Sequence, residues 1–362
     1  MVDGQTAYLA STDRIYAVDT NPDTNNLQRQ KWAFPPADQN ASVTFHGEPL
    51  VTESGVLYAS GDGASGRGAL FALDTHQTVD AGQPPNTTKT VNTKWTYPAS
   101  ENAPPLGSVF GGVAHDGASI YAGTNDGFVI SVDSETGRLN WTFPETTAAP
   151  VGRVWSSPVV SGSIVYAAAQ DHHLYALDAT DGSPIWTFEA GAVLAGTPTL
   201  YGDTVYAGSF DQKLYALDAA TGSKKWEFAA QGWLWDGPTV FDDVLYFGDL
   251  SGGLYAVQLN GSQLWSKTAI FEGVIRARPL VTEDRIYVAT GARKLYALNR
   301  DTQAIEWTFT ALQDGESLLT TPALVGDALL VAPLPSGGSP IRLYAVNVRS
   351  GNLQWQFPPP AP

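Results

Sequence analysis

The chain has no cysteine and one methionine in 362 residues. Disulfides, thiolate metal ligands and cysteine nucleophiles are therefore excluded, although the lack of cysteine does not by itself assign a compartment. Positive charge is also scarce. There are 20 Lys and Arg against 36 Asp and Glu, for a net charge of −16 and a pI near 4.5. An acidic surface repels phosphate, which argues against nucleic acid and anionic membrane as partners. No apolar run reaches transmembrane length, no signal-peptide pattern opens the chain, and no stretch carries helical apolar periodicity. No Gly-rich phosphate loop precedes a helix, and no Ser/His/Asp arrangement can be assembled.

What is abundant is tryptophan, and it is periodic. Eight of the 11 Trp (Trp32, Trp95, Trp141, Trp186, Trp226, Trp265, Trp307 and Trp355) follow one another at steps of 63, 46, 45, 40, 39, 42 and 48 residues. Each closes a copy of one phrase, clearest at Leu214-Tyr215-Ala216-Leu217-Asp218 followed by Thr221-Gly222 and Trp226. A period near 40 residues marks a repeat architecture. Within a copy, short β-branched and aromatic runs alternate with Gly/Asp/Asn turns. In the fifth copy they are Pro198–Leu200, Thr204–Gly208, Leu214–Asp218 and Lys225–Phe228. Four strands, A to D, repeated eight times predict an all-β, eight-bladed β-propeller with four antiparallel strands per blade.

The repeated residues have physical roles. Strand C alternates side chains between the two faces of a blade. Its Ala keeps one contact thin, and its terminal Asp caps the following turn through a side-chain oxygen. The last three copies keep that function with Gln258, Asn299 and Asn347. The turn Gly can take positive φ. The Trp can bury on the order of 200 Å² between blades.

The Ala-x-Asp-x-x-x-Gly-x-x-x-Trp spacing in copies three to five resembles the tryptophan-docking motif of the PQQ-type (quinoprotein-like) propellers. In size and composition the chain is most similar to the BamB-like non-catalytic members. The resemblance spans roughly Val2 to Phe357 and implies a scaffold outside the cytoplasm, in the periplasm or at the cell surface, with a protein partner in envelope assembly. It implies no enzyme and no cofactor. The dehydrogenase branch implies the alternative, PQQ with calcium, but those members usually carry a vicinal Cys pair, which is absent here, and no Glu/Asn/Asp calcium set stands out. A quinone- or glycan-binding propeller and an adhesive repeat of a larger surface protein remain the alternatives.

Domain organisation is read as one propeller over residues 1–357 and a Pro-rich tail over 358–362. A monomer is expected. Longer inserts fall at Asn21–Gln30, Thr75–Thr93 and Pro333–Pro340, and residues 83–88 are read as a surface loop. Val2–Tyr8 aligns with Val160–Tyr166. The first blade is therefore expected to lack its Pro and preceding segment, with an upstream signal or lipid anchor fitting that start.

Candidate functional residues come from the segments joining strand D to the next strand A. Four residues before the strand A Pro (Val113 in the third copy) lie Phe45, Val109, Val154, Leu194, Leu234, Ile275 and Leu318, a core column. Positions one, three and five before it point the opposite way. They vary in size and charge and are expected to face a central funnel. This column supplies His46, Glu48, Phe110, Arg153, Trp155, Trp233, Trp235, Arg276 and Arg278, and Asp236 adjoins it. Trp and Arg are enriched at binding hot spots, and Arg can hold a partner carboxylate. The competing reading makes Trp233 and Trp235 plugs and pairs an Arg with Glu48, Asp236 or Glu272. His46 stands alone in this reading. Asp171-His172-His173 reads as a solvated turn, His76 and His115 as loop residues, and single carboxylates in the B–C turns as too few for calcium. No metal is assigned.

Overall fold

In a computed structural model the chain is an all-β, eight-bladed β-propeller, each blade a sheet in the order A-B-C-D with antiparallel neighbours. The structure describes residues 1–11, 13–36, 43–63, 66–81, 88–99, 106–145, 148–268, 270–310, 316–334 and 342–359. Among them the only helical segment is a single 3-10 turn, Asn26–Gln28. The chain divides into two compact units. One holds Met1–Thr24 and Gln28–Glu189, hence blades 1 to 4. The other holds Asn25–Leu27 and Ala190–Pro362, hence blades 5 to 8.

Within each unit the core lies between neighbouring blades. Strand C of blade 6, Leu254–Gln258, shows how alternation builds it. Leu254 and Ala256 join a cluster with Ile286 and Leu298 of blade 7, whereas Tyr255 and Val257 join one with Leu214 and Ala216 of blade 5. All four are at most 3% exposed, so the strand is apolar on both faces. The predicted core column behaves alike: its seven members are between 0% and 4% exposed.

The repeat phrase is explained by register. In every blade the strand C small residue lies directly across from the strand D Trp, as in Ala216 with Trp226 and Ser131 with Trp141. Only a small side chain there lets the indole lie flat, and a β-bulge follows at once. The strand-end Asp or Asn then caps the C–D turn. Asp218 Oδ1 accepts the Thr221 N–H (3.0 Å) and hydroxyl (2.9 Å), and Asn299 Oδ1 accepts the same two groups of Thr302 (2.9 and 3.1 Å). The swap from Asp to Asn therefore keeps the acceptor that matters, but Gln258 does not inherit the role expected of it: in blade 6 the acceptor is Asn260 Oδ1, which takes the Ser262 N–H (2.9 Å).

The indole itself docks on the next blade. Trp95 donates its N–H to the Ser134 carbonyl and Trp141 to that of Ala179, both at 2.9 Å. In the second unit Trp226 donates to Leu259 (2.8 Å) and Trp307 to Val348 (3.1 Å). The turn Gly of the receiving blade lies against the ring. A Cβ on Gly182 would come within 2.6 Å of Trp141. Gly is thus required twice, for φ of +75° and for the space an indole fills.

Two segments differ from the sequence reading. The Thr75–Thr93 insert largely extends the C–D hairpin of blade 2. Strand C runs Gly68–Ala81 and strand D Thr88–Tyr97, with a slip in register between Asp74 and Thr78. β-branched Thr and Val at alternate positions favour strand over loop here. Residues 82–87, most of the expected surface loop, lie outside the described residues, as do 335–341 and 360–362. Strand A of blade 2 is split into Thr44–Phe45 and Leu50–Val51, both paired with Val56–Asp62. Strand A of blade 1 is Val2–Asp3.

Candidate functional site on the D–A loop face

The D–A segments are set by a recurrent bond to the B–C turn of the same blade. The second residue of that turn donates its N–H to the carbonyl five positions before the strand A Pro or its Val113 equivalent. Asn125 donates to Ser108 (2.8 Å), Gln170 to Arg153 (2.9 Å), Phe210 to Val193 (3.0 Å) and Leu250 to Trp233 (2.9 Å). The turn carboxylates staple the same junction. Asp211 Oδ2 accepts the Tyr215 hydroxyl (2.5 Å) and the Gly191 N–H (2.8 Å), and Asp171 does the same with Tyr175 and Gly152. These carboxylates are structural acceptors, which gives the B–C turn acids a role that needs no metal. Burial pushes the Tyr175 and Tyr215 hydroxyls well above their ordinary pKa, and the facing carboxylates add to the shift.

In the first unit the structure brings His46, Phe110 and Trp155 together in a row, one ring from each of three successive D–A segments. His46 and Phe110 meet edge-on with centroids 4.7 Å apart, and Phe110 and Trp155 at 6.1 Å and 89°. Both ends of the row are tied. Trp155 donates its indole N–H to Asn125 Oδ1 (2.9 Å), and His46 Nε2 lies 2.9 Å from Asp62 Oδ2. His46 is therefore not solitary, a correction to the sequence reading. Its partners come from strand B of its own blade and from the next D–A segment, neither of which sequence spacing reveals. Arg153 and Glu48 are exposed beside this row. Among the described residues neither forms an ion pair.

The second unit gathers the remaining candidates. Trp233 is 51% exposed and stacks on Phe210, with centroids 5.1 Å apart and planes 13° apart. Phe210 also meets Trp235 at 5.6 Å, and the Arg276 guanidinium lies over the Trp235 ring at 3.7 Å. The result is a ladder, Trp233–Phe210–Trp235–Arg276, drawn from blades 5, 6 and 7. Phe210 was absent from the sequence reading. Its signal was an aromatic residue at a turn position that blades 3 and 4 fill with Asn125 and Gln170.

The two arginines of the Arg276-Ala277-Arg278 run do different things. Arg278 Nη2 donates to Asp236 Oδ1 (3.0 Å), to Pro198 O (3.4 Å) and to Thr197 O, clasping the D–A segments of blades 5, 6 and 7. Arg276 forms no ion pair among the described residues. Burial lowers its pKa, and the nearby Asp236 charge opposes that shift only in part. Glu272 is engaged elsewhere, by Lys294. Close passage of these segments requires small residues. A Cβ on Gly196 would reach within 2.1 Å of the Trp235 carbonyl oxygen.

Among the described residues no three His, Asp or Glu side chains come together to hold a metal ion. Among the described residues no helix is long and apolar enough to cross a membrane.

Compared with known proteins, the sequence matches the family described as outer membrane protein assembly factor BamB over residues 2–172, 88–232, 125–266 and 211–362. The chain belongs to the BamB family. Similar folds include BamB from Moraxella catarrhalis, at 19% identity over 96% of this chain and 90% of that one, with a TM-score of 0.66. The computationally designed Ika8 protein is 11% identical over 96% and 95% of the two chains, with a TM-score of 0.70. Quinohemoprotein alcohol dehydrogenase from Comamonas testosteroni is 15% identical over 87% and 67%, at 0.63. At these identities the structural likeness speaks for the fold alone, and BamB-family and dehydrogenase propellers share it. No curated protein matches the sequence.

Proposed function

We propose that this BamB-family propeller is a non-catalytic scaffold outside the cytoplasm that engages a protein partner through its D–A loop face. The observation that carries this reading is the Trp233–Phe210 stack. An indole left half in solvent beside two further aromatic rings is more apolar surface than the fold needs to expose, and Trp is among the side chains enriched at interface hot spots. Family membership supports a role in envelope protein assembly, since the Moraxella relative is a BamB. The quinone alternative is less well supported. Asp171, Asp211 and Asp249 are spent on turns and staples, and among the described residues no three His, Asp or Glu side chains gather.

Two measurements test the two halves of the proposal. Thr180, on an exposed C–D turn, is changed to Cys in this cysteine-free chain and treated in intact cells with a membrane-impermeant maleimide. Labelling is expected, and protection until lysis refutes the location. Trp233→Ala is expected to weaken partner binding by at least about tenfold, the effect of a hot-spot truncation near 2 kcal/mol, without lowering stability. Unchanged binding removes Trp233 from the interface.

A further inference from the structure

The structure divides the two neighbouring arginines into a clasp and a receptor, and we infer that Arg276 receives a carboxylate of the partner, with an apolar group of the same segment lying on the Phe210–Trp233 stack. This rests on the protein-partner reading above and adds the chemistry of the partner.

Two guanidinium groups approach one carboxylate, Asp236, and Arg278 takes it at 3.0 Å while also spending donors on two main-chain carbonyls. Arg276 is left half-buried, its guanidinium carbon 3.7 Å from the centre of the Trp235 ring, and in no ion pair among the described residues. Burial penalises the Arg276 charge, and Asp236, already taken by Arg278, compensates it only in part. The stack on Trp235 stabilises the charge through the ring face and fixes the guanidinium plane. The N–H groups that bind carboxylate in fork geometry take no acid of the described chain. The adjacent rungs are apolar and rigid. An acidic residue flanked by an aromatic or aliphatic one fits both features, whereas a basic one is repelled by Arg276. Arg278 is a positioning residue, because it holds the Asp236 loop on which Trp235 and Trp233 sit.

The test uses two blocked dipeptides as probes, N-acetyl-Phe-Asp-amide and N-acetyl-Phe-Asn-amide, titrated into the full chain while indole N–H resonances are followed by NMR. The Asp probe is expected to bind weakly, with Kd on the order of millimolar, and to shift the Trp233 and Trp235 signals. The Asn probe is expected to bind at least about tenfold more weakly, the loss of one charge-assisted hydrogen bond. Arg276→Gln should abolish the difference between the probes, and Arg278→Lys should preserve it. The comparison of probes on the unaltered protein holds even if a variant fails to fold. Equal binding of both probes, or an Asp preference that survives Arg276→Gln, overturns the inference. Partner binding that depends on Trp233 would stand through either result, so the failure of this inference is distinguishable from failure of the scaffold reading.

Discussion

Gly182→Ala should destabilise the protein far more than Gly162→Ala, although both lie in blade 4 and both have positive φ. The two turns have φ of +75° and +56°. Placing Ala in that region disfavours the native backbone by about 1–2 kcal/mol, partly offset by about 0.4–1 kcal/mol from a less flexible unfolded chain. These terms are shared and cancel in the comparison. The difference lies in what the new methyl meets. At Gly162 nothing lies within 4 Å, whereas at Gly182 it would sit 2.6 Å from the Trp141 ring. That ring is only 7% exposed and is held by its bond to Ala179, so it has little room to withdraw. Overpacking of this kind adds about 1–3 kcal/mol. The expected losses are therefore about 0–1.6 kcal/mol for Gly162→Ala and about 1–3 kcal/mol more than that for Gly182→Ala. Urea denaturation read by tryptophan fluorescence gives both, provided the slopes match. Equal midpoints for the two variants would show that the indole does not dock on this turn.

Two further outcomes follow from the same contacts. Trp141→Phe should lose at least about 0.5–1.5 kcal/mol by removing the indole bond to the Ala179 carbonyl, which keeps only the Tyr121 hydroxyl at 3.3 Å, measured in the same urea series. Burial alone would raise the Asp171 pKa, but bonds from the Gly152 N–H, the Tyr175 hydroxyl and the His173 N–H, with the nearby His173, hold it below its ordinary value. A depressed carboxyl contributes stability above its unfolded pKa, near 4, and loses it as pH falls through the folded value. Asp171→Asn should therefore lower stability at pH 7 and flatten the decline below about pH 4, and an unchanged acid limb would exclude the staple.

The fold was legible because the repeat is written in residues that pack. Eight Trp at regular steps, each facing an Ala or Ser, specify blade, register and core column together. The second reason for the turn Gly was hidden, because the indole it receives belongs to the preceding blade, about 40 residues earlier. The site was legible only as a column of irregular residues. Spacing picked out Trp233, Trp235, Arg276 and Arg278 but not what separates them. Arg276 and Arg278 look equivalent in sequence, and only contacts from Asp236, Thr197 and Pro198 make one a clasp. Asp62 and Phe210 lay outside the column because they come from strand B and the B–C turn, where only the contrast of Phe210 with Asn125 and Gln170 gave a signal.

The most direct measurement is site-specific photo-crosslinking in cells, with a photoreactive residue at position 233 on the D–A face or at position 162 on an A–B turn. The account predicts one discrete protein adduct from 233 and none from 162. The same adduct from both positions, or from 162 alone, would contradict it.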